Sequence, residues 1–291
     1  MESQPSDPPL IVIVGQTASG KSALALDLAG RWNGEVIAAD SRTIYKGMDI
    51  GTAKPSLAQR KRVRHHLLNV TTPDKLFTAS DFKHAADKAI ADIASRGKLP
   101  FLVGGTGLYI DSVLFDFSFR GVFDAVRRKE LERLPVSALQ AILTERGIAL
   151  PANEQNPRHL IRAVETEGQV GVRHTLRPNT LIMGLAIGRE ELRERVTARM
   201  DAMLAAGLEH EVLGLAQKYG WDIGPMQTIG YQEFEPYIAG NMTIGVVRDA
   251  IITHTMQYSK RQKTWFSRNK GIHWISKTEE AVELLTTFLN K

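Results

Sequence analysis

The chain contains no cysteine. That excludes disulfides, thiolate nucleophiles and cysteine-ligated zinc, and it suits a reducing compartment. Long apolar runs are missing too, and no stretch approaches the roughly 18 residues of a membrane span. A secretory signal is also lacking. The opening segment, Met1-Glu2-Ser3-Gln4-Pro5-Ser6-Asp7-Pro8-Pro9, is acidic and proline-rich with no apolar centre. Residues 1–9 are expected to form a short disordered tail, and the protein is expected in the cytoplasm. There is no internal repeat and no low-complexity tract beyond that tail.

What is present is ordinary for a soluble globular protein, with 43% hydrophobic and 24% charged residues. A length of 291 residues allows one large α/β domain with a smaller insertion. The net charge of +5 and pI near 9.4 permit a nucleic-acid partner without demanding one.

The most informative stretch is Gly15-Gln16-Thr17-Ala18-Ser19-Gly20-Lys21-Ser22. It fits G-x-x-x-x-G-K-[ST], a loop whose backbone N–H groups wrap a phosphate or diphosphate. The β-branched run Leu10–Val14 before it reads as a buried strand, and the segment after it has helical spacing. Gly15 and Gly20 permit backbone angles and close approach that a Cβ forbids. Lys21 supplies a point charge, Ser22 is a ligand for Mg²⁺, and the helix N-terminus adds partial positive charge. The loop binds a phosphorylated ligand.

Further strands are expected at Glu35–Asp40, His66–Val70, Leu99–Val103, Leu181–Ile187 and Gly271–Ile275. Helices are expected near 80–96, 189–206, 208–219 and 243–268. Strands alternating with helices behind a phosphate loop predict a parallel sheet flanked by helices, with right-handed crossovers. From about Phe117 to Asn179 the β pattern gives way to helical pieces near 124–134, 135–146 and 156–168. The division expected is a discontinuous core, 10–116 with 181–291, and a small all-helical insertion, 117–180, with a basic surface.

Asp40 ends the second expected strand, and ligands of parallel sheets sit beyond the strands' carboxyl ends. There it serves as a general base or hydrogen-bond acceptor; the plainer alternative is a turn-forming Asp before Ser41. Many P-loop hydrolases and kinases place an acid at the end of a later strand to hold Mg²⁺. Here Phe101-Leu102-Val103 runs into Gly104-Gly105-Thr106 instead. That disfavours an ATPase and favours a loop that holds a diphosphate leaving group, unless the glycines form only a tight turn. Late in a long helix, Lys260, Arg261, Lys263, Arg268 and Lys270 suit a phosphate backbone, whereas Trp265 and Phe266 read better as core.

Several stretches together resemble the tRNA dimethylallyltransferases: the phosphate loop, Asp40-Ser41 through Tyr45, Asp49-Ile50-Gly51-Thr52-Ala53-Lys54-Pro55, Leu102-Val103-Gly104-Gly105-Thr106-Gly107-Leu108-Tyr109, Ile229-Gly230-Tyr231-Gln232-Glu233, and Lys260-Arg261-Gln262 with Thr264-Trp265-Phe266. The resemblance spans roughly residues 10–276. It implies a P-loop NTPase-like fold and transfer of a dimethylallyl group from dimethylallyl diphosphate to N6 of the adenine at position 37 of tRNA. It further implies that Asp40 takes the N6 proton, and that Lys21, Thr106, Arg199 and Ser22 with Mg²⁺ attend the diphosphate. The tRNA contacts it implies fall on Asp40, Ser41, Arg42, Thr43, Thr106, Arg127, Arg158, His159, Arg162, Gln227, Gly230, Tyr231 and Gln232. A monomer with no membrane association is expected. The chain departs from the family in having Gln16 for proline, Thr43 for glutamine or isoleucine, and His159 for arginine.

The nearest rival, in the same fold, is an adenylate isopentenyltransferase acting on free AMP, ADP or ATP; a second, from a different class, is a small-molecule or nucleotide kinase using the loop for ATP. The basic insertion disfavours the first, since a free nucleotide needs no extended cationic surface; the missing acid disfavours the second. A non-catalytic RNA-binding protein would have no need of Lys21, Ser22, Asp40 and Thr106 together.

Overall fold

In a computed structural model, which describes residues 7–120, 124–169 and 171–290, the run Leu10–Gly15 is strand β1, buried along its whole length. A strand with no solvent-facing side belongs inside a sheet covered on both faces. The elements that follow are α1 (Lys21–Arg31), β2 (Gly34–Ala39), α2 (Leu57–Arg62), β3 (His65–His66), α3 (Ala79–Ser95), β4 (Leu99–Gly104), α4 (Gly107–Leu114), α5 (Ala125–Glu132), α6 (Val136–Glu145), α7 (Pro157–Glu165), β5 (Thr180–Leu185), α8 (Arg189–Ala205), α9 (Leu208–Tyr219), α10 (Glu235–Ile238), α11 (Ile244–Phe266), β6 (His273–Ile275) and α12 (Thr278–Leu289). The six strands are all parallel, in the order β3-β2-β4-β1-β5-β6. This is the expected α/β, P-loop NTPase-like arrangement.

Alternation along the strands divides the core into two layers. Ile11, Ile13, Val36, Phe101, Val103 and Met183 pack with Leu24 and Leu28 of α1 and with Ala281 and Leu285 of α12. Val12, Ile37 and Leu102 are fully buried on the opposite face, which α3 and α11 cover. A further apolar cluster joins Ile44, Tyr45 and Met48 to α8, α9 and α11.

Three details differ between sequence pattern and structure. The strand expected over 66–70 is reduced to His65–His66, because Leu67 (φ 61°) and Asn69 (φ 54°) turn left-handed. Helix α4 carries no amphipathic signature: its sequence, Gly-Leu-Tyr-Ile-Asp-Ser-Val-Leu, is apolar on nearly every side. Helix α12 is absent from the expected set, although Glu279 and Glu280 in its first turn and its apolar spacing are readable.

Residues Phe115–Leu176 form a separate compact unit. It has its own small core of Leu131, Leu139, Leu143, Leu160, Ile161 and Val164, supplied by α5, α6 and α7. Its boundary falls at 115 and 176 rather than 117 and 180 because the chain rejoins the core early. Arg177 N–H donates to the Leu114 carbonyl (2.7 Å), and Leu10 N–H to that of Asn179 (3.0 Å). Residues 1–6 of the expected tail lie outside the described residues. Among the described residues no helix is long and apolar enough to cross a membrane.

Candidate active site

Because the sheet is parallel, the turns after β1, β2 and β4 emerge at the same edge. The turn after β1 is the phosphate loop, with φ of 147° at Gly15, 66° at Ala18 and 101° at Gly20. Lys21 Nζ donates to the Gln16 carbonyl (2.6 Å). Ser22, one residue into α1, is exposed. The turn after β2 carries Asp40. The turn after β4 carries Thr106, whose N–H donates to the Ala39 carbonyl (3.3 Å) and whose Oγ1 accepts from Ser41 N–H (3.1 Å). These bonds hold the last two turns together. A Cβ on Gly104 would lie 2.0 Å from the Ala39 carbonyl oxygen, so only glycine lets β4 end this close to β2.

The turn-forming arrangement considered for Asp40 is present. Its Oδ1 accepts from Arg42 N–H (2.8 Å), forming a turn, and its backbone carbonyl accepts from Thr43 Oγ1 (3.4 Å). The side chain is half-buried, and its charge acts on Lys21 and Tyr258. Burial lowers the Lys21 ammonium to about 7; Asp40 opposes that fall and Arg199 adds to it. Arg199 projects from α8, and desolvation pulls its guanidinium below the usual value. Lys21, half-buried, and Arg199, on the exposed side of α8, have no ion-pair partner in the described residues and together suit an anion.

The other expected site residues divide clearly. Thr43 is turned inward and Tyr231 is fully buried. The Tyr231 hydroxyl donates to Glu211 Oε1 (2.7 Å), and its ring fills the space beside Gly51. The Tyr231 side chain is thus engaged in packing. Gly230 is also buried, its N–H donating to Glu233 (2.8 Å), whereas Gln227 is exposed and Gln232 half-exposed. In the separate helical unit Arg127, Arg158 and His159 are exposed, whereas Arg162 pairs with Glu165 (3.4 Å). On α11, Phe266 is core as expected. Trp265 is 38% exposed, with its indole N–H on Asp111 (3.1 Å). Lys260, Arg261 and Lys263 face solvent.

Two pairs of residues have anchoring roles that no sequence pattern reveals, Glu211 with Lys54 being the first. Glu211 of α9 accepts from the N–H groups of Asp49, Ile50 and Gly51 at 2.7–3.0 Å. Lys54 reaches the Tyr45 carbonyl, Asp49 (2.7 Å) and Asn69 (2.7 Å). The Asp49–Pro55 motif is thus a folded loop that braces the turn beyond Asp40. Gln16 and Gln262 are the second pair, because each bonds a segment some 240 residues away. Separation of that size leaves no local pattern to read.

The sequence profile of the IPP transferase family matches residues 43–270. A tRNA dimethylallyltransferase of Staphylococcus epidermidis is 36% identical over 307 residues, covering 98% of this chain and 92% of that protein. The crystal structure of the full-length tRNA isopentenylpyrophosphate transferase of Bacillus halodurans superposes with a TM-score of 0.76 at 35% identity, covering 97% of both chains. A eukaryotic dimethylallyltransferase captured acting on tRNA gives a TM-score of 0.79 at 27% identity, covering 92% of this chain and 74% of that one. With the phosphate loop, Asp40 and Thr106 gathered at one sheet edge, the chain belongs to the IPP transferase family, that of the tRNA dimethylallyltransferases.

Proposed function

We propose that this protein transfers a dimethylallyl group from dimethylallyl diphosphate to N6 of the adenine at position 37 of tRNA. The observation that carries this reading is the pairing of an anion site at Lys21 and Arg199 with a carboxylate at Asp40. The N6 amine attacks the allylic C1 as the C1–O bond breaks, and the diphosphate leaves with the bonding electrons. The N6 proton passes to the Asp40 carboxylate, whose Oδ2 makes no hydrogen bond among the described residues. Lys21, Arg199, Thr106 and the loop amides stabilise charge growing on the leaving group, usually the dominant contribution in such catalysis.

The residues present fit a Mg²⁺ that arrives with the diphosphate. The exposed Ser22 hydroxyl is available to it, and no cluster of three or more His, Asp or Glu side chains forms a cage among the described residues. Such an ion would neutralise diphosphate charge. The adenine must leave the anticodon-loop stack to reach Asp40. Arg127, Arg158 and His159 of the helical unit, with Gln227 and Gln232, are the solvent-facing candidates for contact with the RNA backbone. A cytoplasmic monomer suits this work. Relatives named for tRNA disfavour the free-nucleotide enzyme and the kinase.

Labelled dimethylallyl diphosphate with Mg²⁺, offered unmodified tRNA or AMP in separate reactions, tests the reading. Label on the tRNA adenosine alone is the expected result; label on AMP alone overturns it.

Titration of Lys21 makes a second expectation. In the free protein the ammonium is half-deprotonated near pH 7, and a bound diphosphate favours its charged form. Binding should therefore take up about half a proton near pH 7 and approach one proton about a unit higher, with affinity falling by up to about tenfold per pH unit beyond that. Calorimetry in buffers of different ionisation enthalpy reads the uptake, and Lys21→Met should abolish it.

A further inference from the structure

Helix α11 touches both halves of the site through one face. Gln262 is buried, with 5% of its surface exposed. Its Oε1 accepts from Thr17 N–H (2.7 Å) and from Thr17 Oγ1 (3.2 Å). Its Nε2 donates to the Gly105 carbonyl (3.0 Å). One amide therefore bonds the phosphate loop with its oxygen and the Gly105-Thr106 turn with its nitrogen. One turn earlier, Gln16 Nε2 reaches back from the loop to the Ser259 carbonyl (3.1 Å). The Tyr258 side chain, four residues before Gln262, lies on the same face of the helix. The fit at Gly105 is tight: a Cβ there would sit 2.2 Å from Gln262 Nε2.

Resting on the transferase reading, we propose that Gln262 is a positioning residue that sets the spacing between the loop carrying Lys21 and the turn carrying Thr106. It touches neither substrate. Its amide has one acceptor end and one donor end, and the two backbones present matching groups. No other side chain of this size has that polarity: methionine has neither end, and ionised glutamate sets a negative oxygen against the Gly105 carbonyl. Losing the cross-link lets the leaving-group site and the Thr106 turn drift apart. Displacements of about 1 Å cost on the order of 10²-fold in rate.

The test compares Gln262→Met and Gln262→Glu with the wild-type protein. Turnover, KM for each substrate, tRNA dissociation constant and the thermal shift on adding pyrophosphate with Mg²⁺ are measured. Gln262→Met should lose roughly 10- to 10²-fold in turnover, keep its tRNA affinity and show a smaller pyrophosphate shift. Gln262→Glu should be as impaired at pH 8, then regain part of its rate relative to wild type as pH falls, since burial and the facing Gly105 carbonyl favour the protonated acid, which donates there. Wild-type turnover in Gln262→Met, or equal deficits for the two variants at every pH, overturns the proposal. Should Gln262→Met not fold, the pH dependence of Gln262→Glu decides. Should the wild-type protein transfer no prenyl group, the transferase reading falls; the pyrophosphate shift then decides this inference, supported if Gln262→Met shrinks it and overturned if it is retained in full.

Discussion

Asp40→Asn is expected to lower turnover by about 10²-fold or more while leaving tRNA affinity nearly unchanged. The exocyclic amine of adenine is a poor nucleophile, so loss of its proton must accompany attack. Asparagine keeps an oxygen able to accept from Arg42 N–H, the bond Asp40 Oδ1 makes now, and so preserves the turn while removing the base. Asp40→Ala removes both. Single-turnover rates at saturating dimethylallyl diphosphate, beside filter-binding affinities for tRNA, separate the two roles. An Asp40→Asn protein that turns over like wild type, next to a crippled Asp40→Ala, would leave Asp40 only its turn.

The second large effect lies at the opposite end of the same strand. Glu35, its side chain 2% exposed, bonds Arg96 through both carboxylate oxygens (2.6 and 2.7 Å), Lys98 (2.8 Å) and His66 (2.7 Å). The Arg96 bond first of all, then Lys98 and His66, holds its carboxyl well below the usual range against the opposing effect of burial. Removing one member of a buried ion network typically costs about 3–5 kcal/mol. The side chains of Arg96 and Lys98 are 32% and 35% exposed and can turn to water, so Glu35→Gln belongs at the lower limit, about 3 kcal/mol. That is a sizeable part of the roughly 5–15 kcal/mol that holds a domain folded.

The folded-state pKa is depressed, so this stabilisation is present above the unfolded carboxylate's value near 4.3 and is lost as pH falls below it. Urea midpoints for wild type and Glu35→Gln should therefore differ clearly at pH 7 and converge toward pH 3. A constant difference across that range would mean packing, not charge, holds Glu35. Glu35 precedes Asp40 by five residues, about 16 Å along a strand, so transfer activity should survive where the variant is folded.

Much of the architecture is legible in the sequence, for identifiable reasons. The phosphate loop announces itself because backbone wrapping of a phosphate demands glycines and a lysine at fixed offsets. Strands β1, β2, β4 and β5 read clearly because strands covered on both faces are apolar at nearly every position, Glu35 and Thr180 apart. The strand expected over 66–70 is cut short because left-handed turns at Leu67 and Asn69 carry no glycine to mark them. Trp265 reads as core, but its ring is partly exposed beside Asp111. Tyr231 sits in a family motif, and only its hydrogen bond to Glu211 reveals a side chain used for packing.

By itself, then, the sequence determined a parallel α/β core, a loop for a phosphorylated ligand, a small helical insertion and the identity of the acid at the end of β2. These follow from local rules: the period of apolar residues, the angles open to glycine and the chemistry of a lysine beside a helix N-terminus. Only the tertiary structure decided which groups share a charge environment and which loops are held at a common spacing. The lowered Lys21 ammonium, the four-membered network around Glu35 and the Gln262 cross-link all join residues distant along the chain. Such energies depend on burial and on distances of a few ångström, which exist only once the sheet has brought its strand ends together.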